Sequence, residues 1–224
     1  MNKFRSSTYV TNTILIVLFL IFIGETLLGG STNINTLVKM GGENNQLIAL
    51  KGQWWRLFTA QFLHIGWLHL ASNAVMIYYL GQYMEPMLGH LRFLSVYLLS
   101  GVGGNLLSFG LGSDATVSAG ASTALFGLFG ALIAIYLANR KIGPVAELGK
   151  QAIALAVINI GLDLFAPGID VLGHIGGLFA GFFLEIIIGS RNLRNYHNKL
   201  KVLAGVVLII FVVFCISRGM RIAN

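Results

Sequence analysis

Residues 117–131 have the sequence VSAGASTALFGLFGA, an apolar stretch in which glycine and alanine separate larger side chains and a serine, Ser122, lies near the start. The stretch is apolar enough to lie inside a membrane, and it therefore predicts a membrane helix with close neighbours. A hydroxyl group without a hydrogen-bond partner is costly in hydrocarbon. Ser122 therefore either packs one helix against another or has a chemical role.

The composition of the whole chain agrees with this local prediction. Of the 224 residues, 56% are hydrophobic and only 10% are charged, and the mean hydropathy is +0.79. Soluble domains carry about 25% charged residues. We therefore expect a single membrane-embedded domain over residues 1–224, an all-α polytopic helix bundle in contact with membrane lipids. The basic residues lie in short loops between apolar segments, which argues against a nucleic-acid partner.

Seven segments approach the roughly 20 apolar residues that a membrane-spanning helix needs. They are residues 12–30, 68–85, 91–111, 119–138, 150–166, 171–189 and 202–217. The first and last are the most apolar and should face lipid. The middle five contain Gly, Ser, Asn and His and should pack against one another. No A-x-A-like cleavage site follows the first segment, so we expect it to be retained.

The distribution of positive charge predicts the orientation in the membrane. Ten of the fifteen Lys and Arg residues fall on the side of the N-terminus: Lys3, Arg5, Arg92, Arg140, Lys141, Lys150, Arg191, Arg194, Lys199 and Lys201. Positive residues favour the cytoplasmic side. The sequence therefore predicts a plasma-membrane protein with a cytoplasmic N-terminus and an extracellular C-terminus.

The one long loop, residues 31–67, is followed directly by the second span. The stretch GQWWRLFTAQFLHIGWLH at 52–69 is aromatic and amphipathic, and its tryptophans suit the boundary between lipid and water. We expect the loop to lie partly submerged in the outer leaflet. Arg56 should brace this loop or meet lipid phosphate. The GVGGN segment at 101–105 is interpreted as a helix-packing surface.

Four polar residues lie at membrane depth, where such residues indicate function. His69 and Asn73 share one face of the second span because they are four residues apart, whereas Ser122 and His174 begin the fourth and sixth spans. All three spans start on the outer side. The sequence therefore predicts that these four side chains meet at one depth.

A serine and a histidine that meet in the fold indicate nucleophilic catalysis, because imidazole can take the proton of the hydroxyl group. Acyl transfer also needs donors directed at the developing oxyanion. Asn73, His69 and the backbone N–H of Ser122, at a helix start, could supply them. The sequence thus favours Ser122 as nucleophile and His174 as base.

Glycine spacing explains how the base could reach the serine. Gly173, Gly177 and Gly181 recur every four residues, a pattern that permits close helix contact. The fourth and sixth spans could then pack closely enough to bring His174 to the serine, with the ring of Phe126 beneath the imidazole. Without glycines, helix axes stay about 8–10 Å apart.

Carboxylates receive no catalytic role in this prediction. Asp163 and Asp170 are nearest to His174 in sequence but lie at or near helix ends, where we expect solvated caps or loop charges. The prediction is a dyad without a carboxylate. Glu25 and Glu185 lie near span ends, where they can reach lipid headgroups, and we assign them no chemistry. Serine hydrolysis needs no cofactor, and no histidine pair resembles a metalloprotease helix, so no metal is expected.

From about Trp55 to Gly181 the chain resembles the rhomboid family of intramembrane serine proteases. Four motifs carry the resemblance, in the family's order: the Trp55-Arg56 pair, the H-x4-H-x3-N pattern of His64, His69 and Asn73, the G-x-S of Gly120, Ala121 and Ser122, and Gly173-His174 with the glycines that follow. Together they are specific, although each alone is weak.

The resemblance implies a rhomboid-like six-helix core, at about residues 50–190, plus an extra C-terminal span at about 202–217. It implies Ser122 as nucleophile, His174 as general base, and His69 and Asn73 as oxyanion stabilisers. His64, Phe126 and Gly120 would then support these reacting groups. The implied substrates are transmembrane proteins, whose helices would enter past the fifth span and be cut near the outer surface.

The sequence departs from the family pattern beside the nucleophile. Thr123 replaces the second glycine of the usual G-x-S-G motif, and its branched side chain could disturb close packing; Phe126 stands where many relatives have tyrosine. An inactive relative that binds membrane segments is therefore one alternative. A small transporter is another, although the chain lacks inverted repeats and a row of carboxylates at the midplane.

Overall fold

The computed structural model describes residues 8–223, which form an all-helical bundle. The α-helices are α1 Tyr9–Leu27, α2 Ile34–Met40, α3 Asn45–Lys51, α4 Arg56–Thr59, α5 Trp67–Leu88, α6 His90–Leu111, α7 Ser122–Ala138, α8 Gly143–Asp163, α9 Val171–Ile188 and α10 Asn198–Gly219. Short 3₁₀ turns follow α4 and α10. Over residues 8–223, the β pairing is limited to one isolated bridge between Glu43 and Ser118. The predicted all-α class is confirmed.

Each of the seven predicted spans corresponds to one long helix. Five of them, α1, α6, α8, α9 and α10, are long and apolar enough to cross a membrane. Helix α7 is apolar but has 17 residues, and α5 has 22 residues with more polar side chains. The polytopic helical bundle is therefore confirmed, whereas the number of crossings stays a prediction. Lys3 and Arg5, used in the orientation argument, lie outside the described residues.

The largest boundary difference concerns the fifth span. Helix α8 begins at Gly143 rather than residue 150, with Pro144 in its first turn. Proline is favoured there because the first N–H groups of a helix have no intrahelical acceptor. Lys150, the first residue of the predicted span, therefore lies exposed about two turns inside the helix.

The loop between α1 and α5 contains short helices, whereas a loop partly submerged in the outer leaflet was expected. The side chain of Asn33 caps α2 by accepting from Asn35 N–H, and that of Asn44 caps α3 by accepting from Leu47 N–H. Gly41 and Gly52 end these two helices with positive φ angles. Such caps satisfy backbone groups at helix ends. They give the loop a defined shape.

Arg56 holds this loop together. Its guanidinium group is buried and donates to the carbonyl oxygens of Val38 at 2.9 Å and Gly42 at 2.7 Å. Bracing, the first of the two expected roles, is therefore confirmed, and contact with lipid phosphate is not, because the charge faces inward. The three tryptophans of the loop keep 40–58% of their surface exposed, as side chains at a lipid boundary would.

The centre of the bundle is formed by α6, α7 and α9, which approach one another through glycine. A Cβ atom on Gly177 would collide with the carbonyl oxygen of Thr123, and one on Gly181 with that of Gly127. Gly103 of α6 packs against another side of α9. The predicted glycine contact and the packing role of the GVGGN segment are thus confirmed. The main chains of α7 and α9 touch directly.

The remaining long helices lie around this centre. Helix α1 packs on α5, α8 mainly on α7, and α10 on α6 and α9. The outward faces of α1 and α10 are apolar and exposed, for example at Ile16 and Ile209. Both helices therefore present the apolar surface expected of spans that face lipid. The C-terminal end of α8 is similar, since Leu162 and the adjoining Phe165 are exposed.

Two carboxylates lie elsewhere than expected. Glu25 is 0% exposed and accepts a hydrogen bond from the His64 N–H at 2.9 Å. Glu185 is also buried and accepts from the Ser190 hydroxyl at 2.7 Å. The prediction that both reach lipid headgroups is therefore wrong. Each instead satisfies a polar group where the chain folds back at the end of a helix.

Candidate active site

A cavity of about 730 Å³ opens at the end of the bundle where α7 and α9 begin. The polar residues predicted to converge all line it: His69 and Asn73 from α5, Ser122 from α7 and His174 from α9. The structure thus brings together side chains that are up to 105 positions apart in the sequence. A mostly apolar cavity of this volume with a few convergent polar groups is typical of a binding or active site.

Ser122 and His174 form a hydrogen-bonded pair, with 2.8 Å between Ser122 Oγ and His174 Nε2. Ser122 is the first residue of α7, and the segment before it is fixed because the Gly120 N–H donates to the Ala60 carbonyl. His174 lies in the first turn of α9 and is 7% exposed. This is the distance and order of groups that a nucleophile and its general base require.

Phe126 lies one turn after the serine and supports the imidazole. Its ring stacks on that of His174 with 4.2 Å between centroids and 12° between planes. The contact restricts the rotation of the imidazole about its side-chain bonds. The ring of Phe126 therefore does what was expected, and the hydroxyl of the family's usual tyrosine is not needed for this stacking.

The second nitrogen of His174 has a carboxylate partner. His174 Nδ1 lies 2.7 Å from Asp163 Oδ2, and the Asp163 side chain is only 11% exposed. A catalytic dyad without a carboxylate partner was expected, whereas the structure places Asp163 against the imidazole. Asp163 was expected to be a solvated helix end, but the C-terminal end of α8 lies beside the first turn of α9, where Asp163 meets His174. A carboxylate at the C-terminal end of a helix, where the dipole disfavours it, was the available signal.

A donor for an oxyanion is available on the α5 side of the cavity. Asn73 is buried, and its Nδ2 has no hydrogen-bond partner among the described residues. His69 lies against Gly120, where a Cβ atom would be 2.6 Å from His69 Cε1. The φ angle of Gly120, +153°, also favours glycine. Gly120 therefore lets the His69 ring approach the backbone that leads to the nucleophile.

His64 lies behind these groups and outside the cavity lining. It is fully buried, 5.2 Å from His69 between ring centroids, and its Nε2 accepts a long hydrogen bond of 3.4 Å from the Ala121 N–H. Burial lowers the pKa of His64 to about 3, and the neighbouring His69 adds to this. A neutral imidazole that accepts from the backbone beside Ser122 fits a supporting role.

The departure at Thr123 is accommodated by glycine on both neighbouring helices. A Cβ on Gly104 would lie 2.7 Å from the Thr123 Cβ, and one on Gly173 would lie 3.0 Å from its Cγ2. The branched side chain thus occupies space that two glycines leave free. It does not displace Ser122 from His174.

The acids at the rim of the cavity are engaged within the protein. Asp163 contacts His174, whereas Asp170 caps α9 by accepting from the Gly173 N–H and also accepts from the Ser118 hydroxyl. Across residues 8–223, no group of three or more His, Cys, Asp or Glu side chains is arranged to hold a metal ion. The site consists of protein groups that can act on a carbonyl carbon.

Residues 51–191 match the family model described as the Rhomboid domain. The chain belongs to the rhomboid family. The match includes every residue of the site and both helices that carry the serine and the histidine.

Several relatives share much of the sequence. Rhomboid protease GluP of Bacillus subtilis (strain 168) is 41% identical over 193 residues, which is 86% of this chain and 37% of that protein. RHOMBOID-like protein 7 of Arabidopsis thaliana is 39% identical over 170 residues, 75% of this chain and 52% of that protein. YdcA of Bacillus subtilis (strain 168) is 36% identical over 146 residues, 65% of this chain and 72% of that protein. The chain thus spans only part of the length of the first two.

Proposed function

We propose that this rhomboid-family protein is an intramembrane serine endopeptidase that cuts transmembrane segments of other membrane proteins near the outer surface. The observation that carries the proposal is the 2.8 Å hydrogen bond between Ser122 Oγ and His174 Nε2 inside a cavity of a membrane bundle. Family membership supports it, since GluP is named a rhomboid protease. The chain has both residues that this chemistry needs, Ser122 and His174.

The chemistry begins with removal of the Ser122 proton by His174 Nε2, which frees Oγ to attack the scissile carbonyl carbon. The oxygen of that carbonyl becomes negatively charged. Asn73 Nδ2, His69 and the first N–H groups of α7 are the donors for it. The imidazolium then gives its proton to the leaving amine. Water from the cavity hydrolyses the acyl-enzyme in a second round with the same base.

The substrate must expose a peptide bond, because a membrane helix hides its carbonyl groups in internal hydrogen bonds. Segments with Gly, Pro or other helix-weakening residues near the outer end should therefore be preferred. Helix α8 contacts its neighbours mainly on the α7 side, so its outer end is the place where a substrate helix could pass. This agrees with the entry route that the family resemblance implies.

The orientation in the plasma membrane is part of the proposal. Ser122 begins α7, whereas Arg140 and Lys141 follow the opposite end of that helix. If the basic loop is cytoplasmic, as the positive-inside rule predicts, the cavity opens outward. The N-terminus is then cytoplasmic and the C-terminus extracellular.

The experiment is active-site labelling of the protein purified in mild detergent. A serine-reactive fluorophosphonate is added, and the adduct is located by mass spectrometry in wild type, Ser122→Ala and His174→Ala. Because the probe reacts only with an activated hydroxyl, we expect an adduct on Ser122 in wild type and none in either variant. The Tm of each protein shows that it is folded.

Two results would contradict the proposal. One is a wild-type protein that stays unlabelled under conditions that label an active relative. The other is labelling of Ser122 that persists in His174→Ala at the wild-type rate, because a base that can be removed without effect is not the base. In the first case the inactive-relative hypothesis would account for the chain, and in the second case a group other than His174 would have to activate Ser122.

A further inference from the structure

The carboxylate of Asp163 has no evident structural purpose apart from His174. Among the described residues, its side chain has one hydrogen-bond partner, His174 Nδ1, and no Lys or Arg pairs with it. Asp163 is the last residue of α8, where a negative charge opposes the helix dipole. A residue that stabilised the helix would not be an aspartate at this end.

Asp170, the other aspartate near His174, provides the contrast. Its side chain accepts from the Gly173 N–H at 2.8 Å and from the Ser118 hydroxyl at 2.9 Å, and it lies at the N-terminal end of α9. A negative charge there is favourable for the helix. Asp170 is thus explained by folding, whereas Asp163 is explained only by the imidazole that it contacts.

We propose that Asp163 is a positioning residue that completes a Ser122–His174–Asp163 triad. This inference rests on the proposed function and deepens it. In the resting site, His174 Nδ1 carries the proton and donates it to Asp163 Oδ2, which leaves the lone pair of Nε2 directed at Ser122 Oγ. The carboxylate therefore selects the tautomer that can act as a base.

The carboxylate also acts during the reaction without changing its own protonation. When Nε2 takes the Ser122 proton, the imidazole becomes a cation, and the charge of Asp163 at 2.7 Å stabilises it. The proton then leaves from Nε2 to the amine. Nδ1 keeps its proton and its hydrogen bond to Asp163 Oδ2, so no proton passes to the carboxylate. The role needs no co-reactant.

The triad joins two helices that otherwise touch little. Helix α8 packs mainly on α7 and has few contacts with α9, so the Asp163–His174 bond links the outer end of α8 to the helix that carries the base. Phe126 stacks on one face of the imidazole, but stacking does not distinguish the two ring nitrogens. Asp163 is the only described side chain that fixes the proton on Nδ1.

The test compares wild type, Asp163→Asn and Glu147→Gln in detergent. Glu147 is an exposed carboxylate near the other end of the same helix, so Glu147→Gln removes an equal charge far from the cavity. Two readouts are measured. The first is the second-order rate of fluorophosphonate labelling at Ser122. The second is the set of imidazole ¹⁵N chemical shifts, which report the tautomer, assigned to His174 by comparison with His174→Ala.

We expect Asp163→Asn to label at least ~100-fold more slowly than wild type, the lower end of what acid–base catalysis contributes. Its His174 shifts should no longer show a proton held on Nδ1. Glu147→Gln should match wild type in both readouts. Equal labelling rates in Asp163→Asn and Glu147→Gln, or unchanged His174 shifts in Asp163→Asn, would overturn the inference.

The two readouts separate this inference from the proposed function. If wild type labels at Ser122 while Asp163→Asn labels equally fast, the triad is wrong and the protease proposal stands. If wild type does not label at all, the protease proposal falls. The ¹⁵N shifts then decide the inference alone, since loss of the Nδ1 proton signature in Asp163→Asn supports the pair and its persistence refutes it.

Discussion

Gly104 on α6 is a position where one added methyl group should disturb the site without touching any reacting side chain. A Cβ there would lie 2.5 Å from the Gly173 carbonyl oxygen and 2.7 Å from the Thr123 Cβ, whereas ordinary contact begins near 3.4 Å. Gly104→Ala must therefore push the backbone just before His174 by about 0.9 Å. A displacement of about 1 Å at a catalytic group can cost ~10²-fold in rate.

The assay is the second-order rate of fluorophosphonate labelling at Ser122, with Tm in detergent as the measure of stability. We expect labelling of Gly104→Ala to fall ~100-fold, and stability to fall by about 1–3 kcal/mol through overpacking. Gly205→Ala is the matched control, because Gly205 is also inside a helix but has no neighbouring atom within 4 Å. A Gly104→Ala protein that labels at the wild-type rate with an unchanged Tm would refute the reasoning.

Two further substitutions test buried groups near the site. Thr123→Val removes a buried hydroxyl with no hydrogen-bond partner among the described residues but keeps the branched shape. Its Tm should therefore equal or exceed that of wild type, and a lower Tm would contradict this. Burial, reinforced by the charge of Asp170, raises the pKa of Glu43 from 4.5 to about 8. The folded state thus holds a proton that the unfolded chain releases, so this stability is complete below pH 4.5 and is lost as the pH rises toward 8. Glu43→Gln should remove that part of the Tm decrease between pH 5 and pH 8; parallel Tm curves for the two proteins would count against it.

The helices and the serine–histidine pair could be predicted because hydrocarbon imposes a simple rule. Apolar segments long enough to cross must be helices, since no water is available for backbone groups. Polar residues inside them then stand out, and Ser122 and His174 were found in this way. The glycine spacing predicted the short distance between the two helices, because Gly177 and Gly181 permit contact with the main chain of α7 and Gly173 leaves room for the Thr123 side chain.

Asp163 could not be assigned in the same way. The sequence offers two aspartates within eleven residues of His174, and both lie at helix ends. Which of them reaches the imidazole depends on where the end of α8 lies relative to the start of α9, and α8 is held in the bundle mainly by its contacts with α7. Hydropathy does not carry this information.

The short helices of the first loop were not predicted, although residues typical of helix caps lie at their ends. Asn33 and Asn44 each precede a short helix, and Gly41 and Gly52 each follow one, a pattern typical of capped helices. The burial of Glu25 was not visible, because it depends on the His64 N–H folding back onto the end of α1.

The segment that leads into Ser122 is attached to a much earlier part of the chain. Ser118 and Glu43 exchange main-chain hydrogen bonds in both directions, and Gly120 donates to the carbonyl of Ala60. The family match begins at residue 51, eight positions after Glu43. A fragment cut at that boundary would retain every side chain of the site and the Ala60 carbonyl, but it would lose Glu43, one of the two main-chain partners of the nucleophile segment. A minimal unit for expression or transplantation should therefore start upstream of Glu43.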